Sequence, residues 1–323
     1  MNIKDNKILK ELDLDQNIST SKLAKKVRLS QQVVDYRLKK LIEDKVIKNF
    51  GTIINLSKLG YKQYRLLLQI GKASEEAKHE IINYLKNHEK VYWAVIVGGK
   101  WDLFSVVWVK DYADLETFLD ELFKKFTSLK DFEAMYSLSH EFHKHKYLHE
   151  NKILETINLD FSHNIKLIEL DKLDILILNQ MKLNSRLSSL EISKKANTSY
   201  KTVQNRVKNL EKEKVITGYR LFLKSEEYNY KPYLLLISFQ SYGLDIEKKI
   251  WAYARNHQLI TQATKLFGRW SLLFHVRTKD ERQLQNLIIE LRTSYPIIGA
   301  YEIIPVFEDI LINHFPINNY FSS

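Results

Sequence analysis

One segment of this chain occurs twice, and it constrains the fold more than any other feature. Its copies run over residues 30–47 and 199–216, at an offset of 169 residues, and they match position for position. Trp101 and Trp270 keep the same offset, so the duplication extends over nearly the whole repeated unit. The sequence therefore predicts two units of similar fold in tandem.

The repeated segment has the pattern of an amphipathic helix. In the first copy apolar residues recur at helical spacing, while amide-bearing and charged residues occupy the other faces. The predicted apolar face consists of Val33, Val34, Leu38, Leu41 and Ile42. Ser30 stands where an N-cap belongs, because its hydroxyl can accept from a first-turn backbone N–H. A shorter amphipathic segment, Thr20–Val27, precedes it across a turn of about three residues. Two short helices joined in this way are typical of a helix-turn-helix.

The formal net charge of +11 is concentrated in the two helix-turn-helix segments. Residues 1–50 contain twelve Lys and Arg against seven Asp and Glu, and residues 170–219 contain ten against five. A basic balance favours a polyanionic partner, either nucleic acid or an anionic membrane surface, although solubility alone could leave a similar excess. Its position in the repeated helices favours DNA.

After each helix-turn-helix the periodicity changes. A hinge strand is predicted at 47–56, followed by strands at 64–70, 91–97, 103–109 and 132–142 with helices at 74–88 and 112–126. The order βαββαβ is typical of a ferredoxin-like fold, whose second sheet face must be covered. The same order restarts at Pro232, so we expect the two sheets to pack on each other or on those of a second chain.

We therefore predict an α+β protein of two tandem units, each a winged helix-turn-helix module followed by a ferredoxin-like βαββαβ domain. The predicted domains are 1–56 (helix-turn-helix 1 with hinge strand), 57–142 (ferredoxin-like domain 1), 143–169 (connector), 170–225 (helix-turn-helix 2 with hinge strand) and 226–323 (ferredoxin-like domain 2). The connector has no Gly and no Pro, and we expect it to be partly helical.

Two absences restrict the chemistry. The sequence has no cysteine, which excludes disulfides, thiolate metal sites and cysteine nucleophiles. No apolar run approaches the ~18 residues of a spanning helix, and the N-terminal residues lack the apolar segment of a signal peptide. We expect a soluble, cytoplasmic protein with no membrane partner.

Together these features resemble the Lrp/AsnC family of transcriptional regulators, twice over and along nearly the full length. The resemblance is carried by the opening at residues 170–178, the Ser/Val/Arg/Leu pattern of the repeated helix, the Val-Ile that closes it, and the loop at 99–103. It implies that each helix-turn-helix binds DNA, and that each ferredoxin-like domain, called a RAM domain in this family, dimerises and often binds an amino acid.

The chain departs from the family pattern at two places. Lys45 and Lys214 stand before the closing Val-Ile, where family members usually carry Gly, in a turn that we expect to require a positive φ. Asp102, in the loop where the family builds its effector site, is replaced by Ser271 in the second unit.

Docking of a helix-turn-helix places the N-terminal half of its second helix in the major groove. The residues so placed are Ser30, Gln31, Gln32, Asp35 and Tyr36 near bases with Arg37, Lys39 and Lys40 near phosphates, and in the second unit Ser199, Tyr200, Lys201, Thr202 and Asn205 with Arg206 and Lys208. Gln and Asn can pair with adenine and Lys with guanine. Because the two faces differ almost completely, an asymmetric DNA site is expected; the alternative is a solvated face on a copy that does not bind.

A glycine-containing loop is the candidate effector site. It comprises Gly98, Gly99, Trp101 and Asp102, with Gly268 and Trp270 in the second unit. Its backbone N–H groups and Asp102 could hold an amino-acid zwitterion. The interpretation that we favour is a plain β-turn, in which Gly supplies a positive φ and Trp101 packs at an interface.

Four histidines, His140, His143, His145 and His149, cluster near the end of the first unit, while the second unit keeps only His314. A metal site is conceivable, but no Cys or carboxylate completes a ligand set, so we predict no metal and no cofactor. We expect these histidines to be solvated or to face nucleic acid.

An enzyme of the same architecture is the alternative. Some two-copy proteins of this kind are similar to siroheme decarboxylases, which carry an Arg/Pro-rich segment running into Trp-Pro-Tyr-Asn before the third ferredoxin-like strand. That pattern is missing at 98–104 and at 265–271. His275, Arg269 and Arg277 lie near one another in sequence, but an isolated His and two Arg on a strand are weak evidence for catalysis.

The sequence thus predicts a non-enzymatic, sequence-specific regulator with two non-identical DNA-binding heads on one chain. Its expected partners are double-stranded DNA, further copies of itself through the ferredoxin-like domains, and an amino-acid-like effector. A siroheme-decarboxylase-like enzyme and a low-specificity architectural DNA protein are the alternatives.

Overall fold

The computed structural model describes residues 2–149, 155–161, 165–224, 230–241 and 244–312. Each unit begins with three helices and a strand, which we call head 1 and head 2. Head 1 consists of α1 (Ile3–Leu14), α2 (Thr20–Val27), α3 (Gln31–Glu43) and β1 (Ile47–Ile54), and head 2 of α6 (Lys172–Leu183), α7 (Ser189–Ala196), α8 (Tyr200–Lys212) and β7 (Ile216–Leu223). The predicted N-cap at Ser30 is confirmed, since its hydroxyl accepts from the backbone N–H of Val33, and the Ser199 hydroxyl accepts in the same way from the N–H of Thr202. Of the predicted apolar face of α3, Val33 and Ile42 are 36% and 46% exposed, because they lie at its edges, whereas its other members pack in the core of head 1.

A βαββαβ series follows each head, as predicted. The first comprises β2 (Lys62–Ile70), α4 (Glu75–Asn87), β3 (Val91–Val97), β4 (Leu103–Val109), α5 (Tyr112–Lys125) and β5 (Leu129–His143), and β6 (Thr156–Asp160) follows it. The second comprises β8 (Lys231–Phe239), α9 (Leu244–Asn256), β9 (Ile260–Phe267), β10 (Leu272–Thr278), α10 (Glu281–Ser294) and β11 (Ile298–Ile312). The predicted α+β class with two tandem units is confirmed.

The two ferredoxin-like sheets join at both edges. Strand β3 pairs with β11, and β5 pairs with β9, so that the antiparallel order β2-β4-β3-β11-β8-β10-β9-β5 returns to β2. We call this closed ring of strands the barrel. Each sheet therefore covers the other within one chain, which was one of the two arrangements expected.

Alternation along the strands separates the inside of the barrel from the outside. Leu66 and Leu68 of β2 pack in the core beneath α4 and α5, whereas Leu67 points inward. The same alternation in the second unit places Leu234 and Leu236 inside. One face of each strand thus binds the helices, and the other lines the barrel.

The two ends of the barrel differ. Trp101 and Trp270 are buried inside it at the end formed by the β3–β4 and β9–β10 turns. The opposite end is covered by β1 and β7, which pair antiparallel with Gly51 opposite Arg220. We call this two-stranded sheet the ribbon. Because β1 and β7 also end the two heads, the ribbon connects both heads to the barrel.

The heads also contact each other directly. The Gln16 side chain donates to the hydroxyl of Ser185 (2.8 Å) and to the carbonyl of Gly51 (3.0 Å), and all three groups are buried. Arg186 donates to the carbonyls of Gln16 and Ile18. Gln16 and Ser185 are equivalent positions of the two units, so this contact lies on the internal pseudo-two-fold axis.

Two expectations about local structure have clear outcomes. Lys45 and Lys214 adopt positive φ (58° and 60°), so the expected left-handed turn is confirmed in both units. The connector is less helical than expected, because its described part holds only a short 3₁₀ turn, Lys146–Leu148, and the strand β6, which extends the sheet by pairing with β5. His314 lies outside the described residues.

Candidate functional site: the recognition helices and the barrel cavity

The predicted base-reading residues lie on exposed faces of α3 and α8. In head 1 Gln31, Gln32, Asp35 and Tyr36 are exposed, with Tyr36 67% accessible. In head 2 the exposed set is Tyr200, Lys201 and Asn205 together with Ser199, while Thr202 is half-buried and bonded to the Ser199 hydroxyl. Ser30, Lys39, Lys40 and Lys208 are exposed as well. Each head therefore presents a polar helix face that no other described part of the chain covers.

Two predicted phosphate contacts are already engaged within their heads. Arg37 forms an ion pair with Asp5 of α1 (2.8 Å), and Arg206 pairs with Asp171 (2.8 Å) and Asp174 (3.2 Å) at the start of α6. Both arginines thus fasten the recognition helix to the first helix of the head. Any contact that they make with a phosphate would have to be shared with this structural role.

The candidate effector loop consists largely of buried structural groups. Trp101 and Trp270 are each 2% exposed and belong to the interior core of the barrel. The Asp102 carboxylate accepts from the backbone N–H of Ile70 (2.7 Å), and Ser271 plays the same part for Phe239 (3.2 Å). Gly99 has a φ of 93°, which fits the favoured interpretation of a β-turn with its tryptophan at an interface.

The expectation that the four histidines are solvated is wrong. His140, His143, His145 and His149 are all buried. His140 and His143 lie on β5, and His145 and His149 follow it and contact Asp13 of head 1. Nδ1 of His145 lies 2.6 Å from Oδ1 of Asp13, and Nε2 of His149 lies 2.9 Å from Oδ2. Among the described residues no group of His, Asp and Glu has the arrangement of a metal site.

The buried carboxylate of Asp13 joins head 1 to His145 and His149. Burial alone would raise the pKa of Asp13, but the charge and hydrogen bond of His145 and the hydrogen bond of His149 hold that pKa well below its usual range. The equivalent position in the second unit is Lys182. Head 1 is therefore fastened to the barrel by a contact that the duplication does not repeat.

The barrel contains a cavity of about 100 Å³ at its ribbon end. Strands of both units and the ribbon form its wall. The lining includes aromatic side chains (Tyr92, Trp93, Trp108, Phe142, Phe222) and basic ones (Arg65, His140, Arg220, His275, Arg277), with Lys48, Glu308 and Asp309 among the others. We call this space the barrel cavity.

Arg65 is the most deeply buried charge in the barrel cavity. It is 2% exposed, and its Nη2 donates to Oε1 of Gln63 (3.3 Å) and lies 3.1 Å from Nδ1 of His140. Its Nε has no hydrogen-bond partner among the described residues. Burial lowers the pKa of Arg65 to about 9, because no carboxylate in the described part of the chain compensates its charge. Since arginine can only donate, His140 accepts at Nδ1 and its proton lies on Nε2.

Other polar groups in the cavity also lack partners. Nη1 of Arg220 and both ring nitrogens of His275 make no hydrogen bond to any described residue, although Arg220 is 5% and His275 1% exposed. The Arg220 guanidinium lies over the ring of Phe142, 4.9 Å from its centroid. Burial is the first cause that lowers the pKa of both His140 and His275, so both are neutral at pH 7.

Sequence reasoning missed the cavity, although one signal for it was present. Arg65 interrupts the apolar strand Tyr64–Ile70 at a position that alternation assigns to the same face as Leu67. The expectation that His275 and Arg277 lie close together is confirmed, since both line the cavity. Arg269 does not join them, because it is exposed at the opposite end of the barrel and faces Glu133.

Comparison with known proteins identifies both parts of the repeat. Residues 1–48 and 170–217 match the winged helix-turn-helix DNA-binding model, and residues 66–146 match the Lrp/AsnC ligand-binding domain. An uncharacterised HTH-type transcriptional regulator of Pyrococcus horikoshii is 31% identical over 131 residues, which are 40% of this chain and 81% of that protein. The chain belongs to the Lrp/AsnC family. It is a tandem form, because the helix-turn-helix model matches it twice. The Pyrococcus relative, matched over 81% of its own length, accounts for only 40% of this chain.

Other relatives agree on the class of protein. The leucine-responsive regulatory protein of Haemophilus influenzae is 27% identical over 45% of this chain and 89% of its own length. The chain is thus an Lrp/AsnC-like transcriptional regulator. Among solved structures, the siroheme decarboxylase NirDL has a TM-score of 0.64 over 97% of this chain and 96% of its own, at 13% identity, which shows the shared tandem fold alone. None of the described helices is long and apolar enough to cross a bilayer.

Proposed function

We propose that this regulator reads an asymmetric DNA site with two different heads held at a fixed spacing. The observation that carries the proposal is the pair of exposed recognition faces on α3 and α8, joined through the ribbon and the Gln16–Ser185 contact. Because the faces carry different side chains, the two half-sites would differ in sequence. Residues in the first 50 positions and in 170–219 supply the positive charge for phosphate contacts.

The fusion of both heads in one chain supports this use. Once one head is bound, the other lies beside the adjacent half-site, so its effective concentration is high and each head needs only modest affinity. Assembly of further copies through the ferredoxin-like domains stays a prediction. The Gly98–Asp102 loop is a poor binding site for an amino acid, because the Asp102 carboxylate already accepts a hydrogen bond from a backbone N–H.

Binding-site selection from a random duplex library tests the proposal. Tyr36→Ala and Tyr200→Ala each remove an exposed side chain from one recognition face and leave the Arg37 and Arg206 ion pairs intact. We expect the intact protein to enrich an asymmetric motif, and each variant to lose specificity in one half only. Tyr112→Ala, on an exposed helix of the barrel, is the matched control.

The outcomes separate the alternatives. Equal protection of all duplexes would indicate a low-specificity architectural protein. A palindromic motif, or loss of both halves in each variant, would contradict the two-headed model. Affinity is expected to fall steeply with salt, because each phosphate contact releases counterions.

One observation favours a second candidate, an enzyme acting on a tetrapyrrole. NirDL, which shares the tandem fold, has been solved with an iron-uroporphyrin III analogue. The barrel cavity here contains buried arginines and histidines that could hold and protonate carboxylate-bearing groups. Against it, the Trp-Pro-Tyr-Asn pattern is missing in both units. Absorbance titration with iron-uroporphyrin III, followed by mass analysis for loss of CO₂, would establish or remove this candidate.

A further inference from the structure

The barrel cavity contains buried donors and ring nitrogens that the described residues leave unpaired. They are Nε of Arg65, Nη1 of Arg220 and both ring nitrogens of His275. Buried polar groups in folded proteins are nearly always paired, and a buried charge is paired or neutralised. We propose that the cavity binds an organic anion that carries two or more carboxylates on a flat, apolar body, and that this ligand is the effector of the regulator.

The number of carboxylates follows from the placement of the arginines. Arg65 lies on β2 and Arg220 on β7, and both line the same space. Each guanidinium offers a planar fork of N–H groups that fits one carboxylate. A ligand with a single carboxylate could pair with one of these two forks and would leave the other without a carboxylate. The acidic residues of the lining do not replace the ligand, since Glu308 is exposed and Asp309 is paired with Lys48 of the ribbon.

The flat body follows from the walls. Trp93, Trp108, Phe142 and Tyr92 line the cavity, and the ring of Trp93 lies 5.3 Å from that of His275. Aromatic walls favour a planar ligand through stacking and apolar contact. The volume of about 100 Å³ is several times the roughly 10–15 Å³ that one water requires, so a single bridging water would not fill the space.

The duplication itself indicates a single site shared by both units. At the offset of 169, Arg65 corresponds to Leu234, His275 to Val106 and Arg277 to Trp108. Each of these basic groups therefore has an apolar residue at the equivalent position of the other unit. One asymmetric cavity results, with Arg65 and His140 from the first unit and Arg220, His275 and Arg277 from the second.

The cavity is also placed to influence the heads. Arg220 belongs to β7 of the ribbon, and Lys48 of β1 forms an ion pair with Asp309 of β11. A ligand whose carboxylates pair with Arg220 and with Arg65 would connect the ribbon to the barrel wall. The binding step stands on the cavity alone, whereas its meaning as regulation rests on the proposed DNA-binding function.

Isothermal titration calorimetry with benzene-1,3,5-tricarboxylate tests the binding step. We expect binding at pH 7 with a dissociation constant below about 1 mM, and none of benzamide, which is flat but neutral. Arg65→Met and Arg220→Met each remove one fork and should weaken binding about tenfold or more. Arg269→Met, at the opposite end of the barrel, should leave it unchanged. Citrate, which is small and not aromatic, and iron-uroporphyrin III distinguish a compact polycarboxylate from a large planar one.

The same samples decide between this site and others. Absence of binding by both planar polycarboxylates, whether or not citrate binds, or equal binding by Arg65→Met and Arg269→Met, would overturn the proposal. Circular dichroism verifies that each variant is folded, and Arg220→Met gives an independent result if Arg65→Met is not. Hydrogen exchange supplies a readout that needs no DNA: the tricarboxylate should slow amide exchange in β7 of the intact protein and not in Arg220→Met. A failed DNA selection alongside positive titration would reject the DNA function and keep the anion site.

Discussion

At the scale of single residues, a buried cation without a counter-ion works against folding. Arg65 is held between Gln63 and His140, and both of these neighbours are neutral at pH 7. Removal of a guanidinium from water costs several kcal/mol unless an anion compensates it. Such a residue is retained for binding rather than for stability.

Replacement of this arginine should therefore stabilise the ligand-free protein. Arg65→Met keeps the length of the side chain and removes the buried charge, and we expect the free energy of unfolding in urea to rise by about 1–3 kcal/mol. Arg255→Met is the contrasting variant, because Arg255 forms a bidentate pair with the buried Glu141. This variant would leave the buried Glu141 carboxylate without its arginine partner and lower the free energy of unfolding by roughly 2 kcal/mol. A loss of stability in Arg65→Met would mean that its charge is compensated.

At the scale of elements, the turns after α3 and α8 are strained. Lys45 and Lys214 occupy the left-handed region, where the Cβ of a non-glycine residue raises the conformational free energy by about 1–2 kcal/mol. Gly has no such steric cost and mainly loses more conformational entropy on folding. We expect Lys45→Gly and Lys214→Gly each to raise the free energy of unfolding by about 0.5–1 kcal/mol. Glu116→Gly, at an exposed position inside α5, should lower it by about 1 kcal/mol. Equal losses in all three variants would show that the turns carry no strain.

The same elements indicate how far the sequence alone predicts the structure. The predicted strands 91–97 and 103–109 coincide with β3 and β4, because each is a short β-branched and aromatic run bounded by turn residues. The burial of the histidines was missed, since it depends on where β5 meets head 1, a contact far apart in sequence. The cavity was missed for the same reason: Arg65, Arg220 and His275 meet only when the two units close the barrel.

At the scale of the whole molecule, two nearly equivalent units are joined unequally. The ribbon and the Gln16–Ser185 contact involve equivalent positions of both heads. The contact of Asp13 with His145 and His149 fastens head 1 alone to the barrel, since Lys182 stands at the equivalent position of head 2. The two heads should therefore differ in how firmly they follow a change in the barrel.

Loss of this contact should loosen one head only. Asp13→Asn keeps the shape of the side chain but removes the charge, and one amide cannot accept from both histidines and the backbone N–H of His145. We expect the free energy of unfolding to fall by about 2 kcal/mol, with faster hydrogen exchange in α1–α3 and unchanged exchange in α6–α8. Lys182→Met supplies the matched control in head 2, with no change in head 1. Equal acceleration in both heads after Asp13→Asn would mean that they unfold as one unit and that the unequal fastening has no mechanical consequence.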